Sequence, residues 1–147
     1  MAVSKAEPAT ALTCAQSMVT ERVIVMEKTN ARYIESLAEQ VGVVVIDVSF
    51  ISLTRVLHAV LGAVRPGGTV VAMVKPQFEA GPKDAPKGVV RDPEVRRAAV
   101  DRVRDHAREL GFSVEGEVES GLVGPSGNHE IFLHLLVPLR LPAAAGA

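Results

Sequence analysis

Short apolar runs separated by polar and Pro/Gly-containing breaks recur along the chain, and their spacing predicts strands and helices in alternation. RVIVM (22 to 26) predicts a short strand, and ARYIESLA (31 to 38) a short helix capped by Asn30. Residues 42 to 47 predict a second strand, apolar up to Asp47 as expected of a parallel strand covered on both faces. In ISLTRVLHAVLGAV (51 to 64), Leu53, Val56, Leu57, Val60, Leu61 and Val64 recur at helical spacing. Arg65-Pro66-Gly67-Gly68 should end that helix, because Pro stops it and the glycines permit the turn. TVVAMVK (69 to 75) then reads as another buried strand, and strand, helix, strand in that order form a right-handed βαβ unit.

PQFEAGPKDAPKGVVR (76 to 91) is rich in Pro, Gly and charge and predicts a long exposed loop. Asp92 and Pro93 then open a helix in the favoured way, with Asp as N-cap and Pro at the first position; it should run to about Leu110 and stop at Gly111. Val95, Ala99, Val103, Ala107 and Leu110 make its apolar stripe, while Arg97, Asp101, Arg104 and Asp105 are among the charges of a paired, solvated face. FSVEGEVE (112 to 119) alternates like a half-exposed edge strand, and EIFLHLLVPL (130 to 139) reads as an inner strand. The expected architecture is an α/β three-layer sandwich formed by residues 21 to 140. Residues 1 to 20 and the Ala-rich tail 141 to 147 are expected to lie outside it without order.

Composition narrows the function. At 147 residues with 48% hydrophobic side chains, the chain is of single-domain size and can form a core. Its 16 basic and 17 acidic side chains nearly cancel, so any contact with a polyanion must be local. Trp is absent and aromatics are few, which argues against a surface that stacks successive single-stranded bases. Cys14 is alone, and no Cys/His cluster has zinc spacing; both fit a reducing cytosol. No apolar run reaches the ~18 residues of a membrane span. A soluble, cytoplasmic protein is expected.

In open α/β sheets, ligands bind at the carboxyl ends of the parallel strands. Asp47 and Lys75 end two such strands, and Glu130 begins the last strand, which reaches the same edge if it runs antiparallel. Singly, Asp47 fits a helix cap, Lys75 a snorkelling strand end and Glu130 a partner for a loop cation. Together, three charges that terminate otherwise apolar strands point to a site.

The blocks ERVIVMEKTNAR, VVVIDVSFISL, RPGGTVVAMVKPQFEAG, KGVVRDP and GPSGNHEIFLHLL, spread in order over about residues 21 to 137, carry a resemblance. They resemble the catalytic domain of the TlyA (hemolysin A) family of FtsJ-like rRNA ribose 2′-O-methyltransferases. The resemblance implies a Rossmann-like SAM-methyltransferase sandwich, S-adenosylmethionine (SAM) as cofactor, and ribosomal RNA or a ribosomal subunit as partner. It also implies a Lys-Asp-Lys-Glu constellation whose last three members match Asp47, Lys75 and Glu130. Lys75 is then the general base or hydroxyl-orienting group for the ribose 2′-hydroxyl, with Asp47 and Glu130 positioning it. Glu27 and Asn30 match a segment near the cofactor's adenine, and Asp47 also borders the cofactor. Lys83, Lys87 and Arg91, in the loop, are candidates for rRNA phosphate contacts, although a mobile solvated loop explains them as well.

The chain also departs from the family. The S4-like RNA-binding domain, the first lysine of the tetrad, the glycine-rich loop after the first strand and the acid that holds the cofactor's ribose have no counterpart. No GxGxxG occurs, and GLVGPSG (121 to 127) precedes a strand, so it reads as a loop. In the family's strand order the two absent strands separate 22 to 26 from 42 to 47. The expectation is a truncated or frame-disrupted member whose sheet has a gap, with a homodimer as one way of covering the exposed edge. His58 reads as a helix histidine, His129 and His134 show no metal pattern, and Ser49 reads equally as a turn residue or a contact to substrate or cofactor. Three functions remain distinct: an rRNA methyltransferase, a non-catalytic RNA- or protein-binding remnant, and the membrane-active hemolysin of the family's older name. The lack of a spanning segment or a strongly basic amphipathic helix counts against the third.

Overall fold

In the computed structural model the described residues are 2 to 4, 23 to 26, 28 to 34, 37 to 124 and 126 to 139. Glu27, most of the first 22 residues and the tail from 140 onward lie outside them. The elements in chain order are β1 (Ala2–Ser4), β2 (Val23–Val25), β3 (Val41–Ile46), α1 (Leu57–Ala63), β4 (Val64–Val74), α2 (Pro76–Glu79), α3 (Pro93–Glu109), β5 (Ser113–Val123) and β6 (His129–Leu136). Four strands form the main sheet in the order β3-β4-β6-β5. β3 and β4 are parallel, with Ile46 opposite Ala72; β6 runs antiparallel to β4, with Val74 opposite Ile131, and β5 antiparallel to β6. β2 pairs instead with Ala2–Ser4 in a separate two-stranded sheet. Among the described residues the main sheet therefore starts at β3.

β3 and β4 both bury one face in the core, while the other face is exposed on β3 and partly buried, at Val71 and Met73, on β4. Val44, Ile46, Val70, Ala72 and Val74 point toward Leu57 and Val60 of α1 and Val100 and Val103 of α3, and all are buried. Val43 and Val45, on the opposite face of β3, are each 59% exposed. Among the described residues, helices thus cover one face of the sheet, giving two of the three expected layers.

Several elements differ from expectation in extent. Of the helix expected over 31 to 38, the described residues form a single 3-10 turn, Ala31–Tyr33; Asn30 caps it through Oδ1, which accepts from the Arg32 amide at 3.1 Å. Ile34 leaves helical geometry but is buried, so its burial, not helix propensity, fixes the segment. The helix expected over 51 to 64 begins as a 3-10 turn, Leu53–Arg55, and its α-helical part ends at Ala63. Arg65-Pro66-Gly67-Gly68 is no free turn: β4 begins at Val64, which pairs with Val41, and Gly67 and Gly68 exchange backbone bonds with Val137 at 2.9 Å. At Gly68 a Cβ would lie 2.5 Å from Val64 and 2.8 Å from the Arg65 carbonyl, so only glycine fits. The expected loop 76 to 91 contains α2, whose Pro76 and Glu79 are buried, and a further 3-10 turn, Pro86–Gly88. Residues 121 to 123 of the expected loop GLVGPSG continue β5.

α3 follows its predicted bounds closely. Asp92 Oδ1 accepts from the Glu94 amide at 2.8 Å, and the chain turns at Gly111 with φ of +95°. Its charged face is paired: Arg97 with Asp101 and Glu117, Arg104 with Glu117, and Arg108 with Asp105.

Candidate functional site

The parallel pairing of β3 with β4 sends both strands out at one edge, and each ends in a charged residue. Asp47 follows Ile46 directly and Lys75 follows Val74 directly. The Lys75 ammonium lies 2.6 Å from Asp47 Oδ1 and also donates to Ser49 Oγ at 3.3 Å. The lysine side chain is only 14% exposed, whereas that of Asp47 is 58% exposed. One side of the carboxylate is therefore held and the other is open to a ligand.

Glu130 stands at the same edge, one position beyond the last β4–β6 pair, Val74 with Ile131, and so opposite Lys75 in the ladder. Its carboxylate lies over the backbone of Gly124, 3.4 Å from where a Cβ would be, and makes no ion pair among the described residues. The topology thus gathers all three predicted residues at one edge, while the side-chain contact joins Asp47 and Lys75 alone.

An open cleft of about 600 Å³ adjoins this edge. Phe50, Ile51, Ser52, Arg55 and Phe78 line it together with Asn30 and Arg32. Phe50 is 91% exposed, has a φ of +63° and meets the ring of Phe78 at a centroid distance of 5.1 Å. A non-glycine residue in the left-handed region is a strained feature that accompanies functional turns. Asn30 is exposed at the cleft and engaged as a cap. Glu27 is outside the described residues. Lys83, Lys87 and Arg91 are exposed, with no ion pair among the described residues, and Lys87 has a φ of +57°.

Two buried polar residues escaped the sequence reading. Glu79 is 5% exposed; its Oε2 accepts from Ser52 Oγ at 2.6 Å and its Oε1 from the Leu53 amide at 2.7 Å. Burial raises its carboxyl above the ordinary carboxylate range, against the bonds from Ser52 and Leu53 and the charge of Arg102, which lower it. Asn128 accepts from the Val90 amide at 3.0 Å and donates to the Gly88 carbonyl at 2.8 Å, tying the 81 to 91 segment to the β5–β6 turn. The signal for both was composition: a Glu between Phe78 and Ala80, and an Asn directly before a strand, each polar at a position that packing buries.

His58 is exposed on α1, His134 is exposed on β6, and His129 pairs with Glu119. Among the described residues no group of His, Cys, Asp and Glu is placed to hold a metal ion, and no helix is long and apolar enough to cross a membrane. A SAM cofactor would find one wall here, the cleft beside Asp47. The positive-φ glycines, 67, 88, 111 and 127, lie at the start of β4, in the 3-10 turn, after α3 and in the β5–β6 turn, and none forms a strand-to-helix turn facing that edge. The described residues alone therefore do not fit a complete cofactor.

Parallel β3 and β4, an antiparallel β6 beside them and charged residues at the carboxyl edge make this an α/β protein of the open-sheet class. A family model for FtsJ-like methyltransferases matches residues 7–136. The chain belongs to the FtsJ-like methyltransferase family. It is 47% identical over 117 residues to the 16S/23S rRNA (cytidine-2′-O)-methyltransferase TlyA of Mycobacterium tuberculosis, covering 78% of this chain and 44% of that protein. It is 31% identical over 120 residues to hemolysin A of Brachyspira hyodysenteriae, covering 79% of this chain and 50% of that one. A crystal structure of a candidate hemolysin from Lactococcus lactis superimposes with a TM-score of 0.78 at 38% identity, covering 83% of this chain and 60% of the other. The chain spans about half the length, or less, of these curated relatives.

Proposed function

We propose that this chain carries the reaction edge of an enzyme that methylates a ribose 2′-hydroxyl of ribosomal RNA, with SAM as methyl donor. The observation that carries the reading is the 2.6 Å contact between Lys75 and Asp47 at the carboxyl ends of two parallel strands, in a chain of the FtsJ-like family. The relative from M. tuberculosis, named for cytidine 2′-O-methylation of rRNA, supports the substrate class.

A ribose hydroxyl is a weak nucleophile at neutral pH, so an enzyme must orient it and provide for its proton. On this reading Lys75 holds the hydroxyl oxygen in line for attack, and the open side of the Asp47 carboxylate faces the proton that must leave. Glu130, opposite Lys75 in the ladder, adds negative charge at the same edge and holds the ammonium when substrate draws it away from Asp47. Alignment at this edge supplies much of the rate. Asn30 and Asp47 border the cofactor on this reading, and Lys83, Lys87 and Arg91 meet RNA phosphates. A ribosomal substrate, on this reading, goes with a cytoplasmic protein.

The lack of a glycine-rich turn among the described residues favours a second reading for the polypeptide by itself, a non-catalytic RNA-binding remnant. Calorimetric titration of SAM into the full chain, beside Asp47→Ala, separates the two. Saturable binding by wild type that weakens in the variant is expected; no binding by a chain shown to be folded contradicts the enzyme reading.

We further infer that a second copy covers the open edge of β3, as a homodimer. Support comes from the exposure of Val43 and Val45 and from the lack of a strand partner on that side among the described residues.

A further inference from the structure

The segment after β3 and the turn after β4 are joined by three contacts in sequence order. Lys75 meets Asp47 and Ser49, Phe78 meets Phe50, and Glu79 meets Ser52 and Leu53. The first two contacts involve partners open to solvent, since the Asp47 side chain is 58% and Phe50 91% exposed. The third is buried and bidentate. Both carboxylate oxygens of Glu79 are occupied, at 2.6 and 2.7 Å, and its own backbone carbonyl accepts from Arg102 of α3 at 2.6 Å. Ser52 Oγ also accepts from the Thr54 amide at 3.2 Å, so the same hydroxyl that binds Glu79 starts the 3-10 turn leading into α1.

Sheet pairing does not fix the Asp47–Lys75 distance by itself. The β3–β4 ladder ends at Ile46 opposite Ala72, which leaves Asp47 one residue and Lys75 three residues past it. Beyond that point the two segments are free to splay unless something joins them. A lysine side chain is long and flexible, and a surface ion pair holds such a chain only weakly. A buried hydrogen bond to a charged acceptor is a firmer tie.

We propose that Glu79 is a positioning residue whose carboxylate clamps the segment carrying Asp47 to the turn carrying Lys75, and so keeps the two at ion-pair distance. The inference rests on the reading of Asp47 and Lys75 as the reaction edge. Glu79 supplies two acceptors at once, one for a hydroxyl and one for a backbone amide, which alanine lacks. Glutamine keeps one acceptor for the Leu53 amide and a donor that Ser52 Oγ can accept.

The test uses the full chain labelled with 15N-lysine, observed by NMR of the side-chain ammonium groups and assayed for methyl transfer from SAM to ribosomal RNA. In wild type the Lys75 ammonium, held by Asp47 and Ser49, is expected to exchange slowly enough to be seen; its loss in Asp47→Ala assigns it. Glu79→Ala is expected to lose that signal and to lower kcat about 10- to 100-fold, the scale of a misplaced reacting group, with KM for RNA unchanged. Glu79→Gln is expected to recover much of both. Should Glu79→Ala not fold, Ser52→Ala, which removes one of the two bonds, takes its place and is expected to speed exchange at Lys75. An unchanged Lys75 signal and an unchanged kcat in the folded variant would overturn the clamp. Loss of the signal in a protein whose wild type transfers no methyl group would leave the clamp standing and remove the catalytic reading. Intact transfer with an undisturbed signal would do the reverse.

Discussion

Asp47 shows how a single residue links sequence to chemistry. Five aliphatic residues before it, Val43 to Ile46 with Val41, form a strand that parallel pairing requires, and the carboxylate begins where that pairing ends. Lys75 likewise follows the last residue of β4, so parallel pairing brings both charges to one edge, although Lys75 lies three residues past its last β3 pair. This much was legible in the sequence, because strand ends follow from hydrophobic runs. Glu79 was not, because its role depends on contacts 26 and 27 residues away along the chain. Its titration yields a signed prediction. The folded-state carboxyl is raised above 4.5, so the folded protein binds more protons than the unfolded chain through and just above that pH. The associated stability is fully present below the ordinary carboxylate value and is lost as pH rises through the raised one. Glu79→Gln removes this dependence, so the stability of wild type relative to Glu79→Gln should fall as pH rises from the ordinary carboxylate value through the raised one. Denaturant melts at several pH values check it; a difference that stays flat or rises contradicts it.

Elements were legible in proportion to how far local pattern decided them. α3 has a cap, a stripe and a stop signal, and its bounds followed. The segment 31 to 38 has a cap but becomes a 3-10 turn, since tertiary packing of Ile34 overrides a weak helix preference. The segment 76 to 91 read as a loop because Pro, Gly and charge mask its buried anchors, Pro76, Glu79 and Val90. Asn128 is the anchor that holds its far end. Asn128→Ala should leave the Val90 amide buried without a partner and cost about 1–3 kcal/mol. It should also speed amide exchange in the Lys83 to Arg91 stretch while β4 and β6 keep their protection, as read by hydrogen exchange. Equal exchange in wild type and variant would contradict the anchor role. Gly68→Ala meets Val64 and backbone oxygens within 3.0 Å, so it should destabilise by about 1–3 kcal/mol in denaturant melts. A neutral result would mean the start of β4 can shift.

At the scale of the whole molecule, the described sheet has helices on one face and exposed valines on the other, with β3 as an open edge. The three-layer expectation came from strands apolar on both sides, a pattern that records what a strand's faces can pack against and not what covers them in this chain. The homodimer reading is tested by sedimentation velocity: a mass near twice 15.6 kDa at micromolar concentration is expected, and Val45→Lys should return it to one copy. A single copy at all concentrations contradicts it. Methyl transfer at the Asp47–Lys75 edge is tested most directly by one assay. Full chain and labelled SAM are incubated with ribosomal subunits, and the RNA is digested and analysed for 2′-O-methylated nucleosides, beside Lys75→Ala. Label on a ribose 2′-oxygen that falls about 10²-fold or more in the variant, the scale of a misplaced reacting group, is the predicted result. RNA left unlabelled by a folded wild-type chain, or labelled equally by Lys75→Ala, would contradict a methyl-transferring role for this edge.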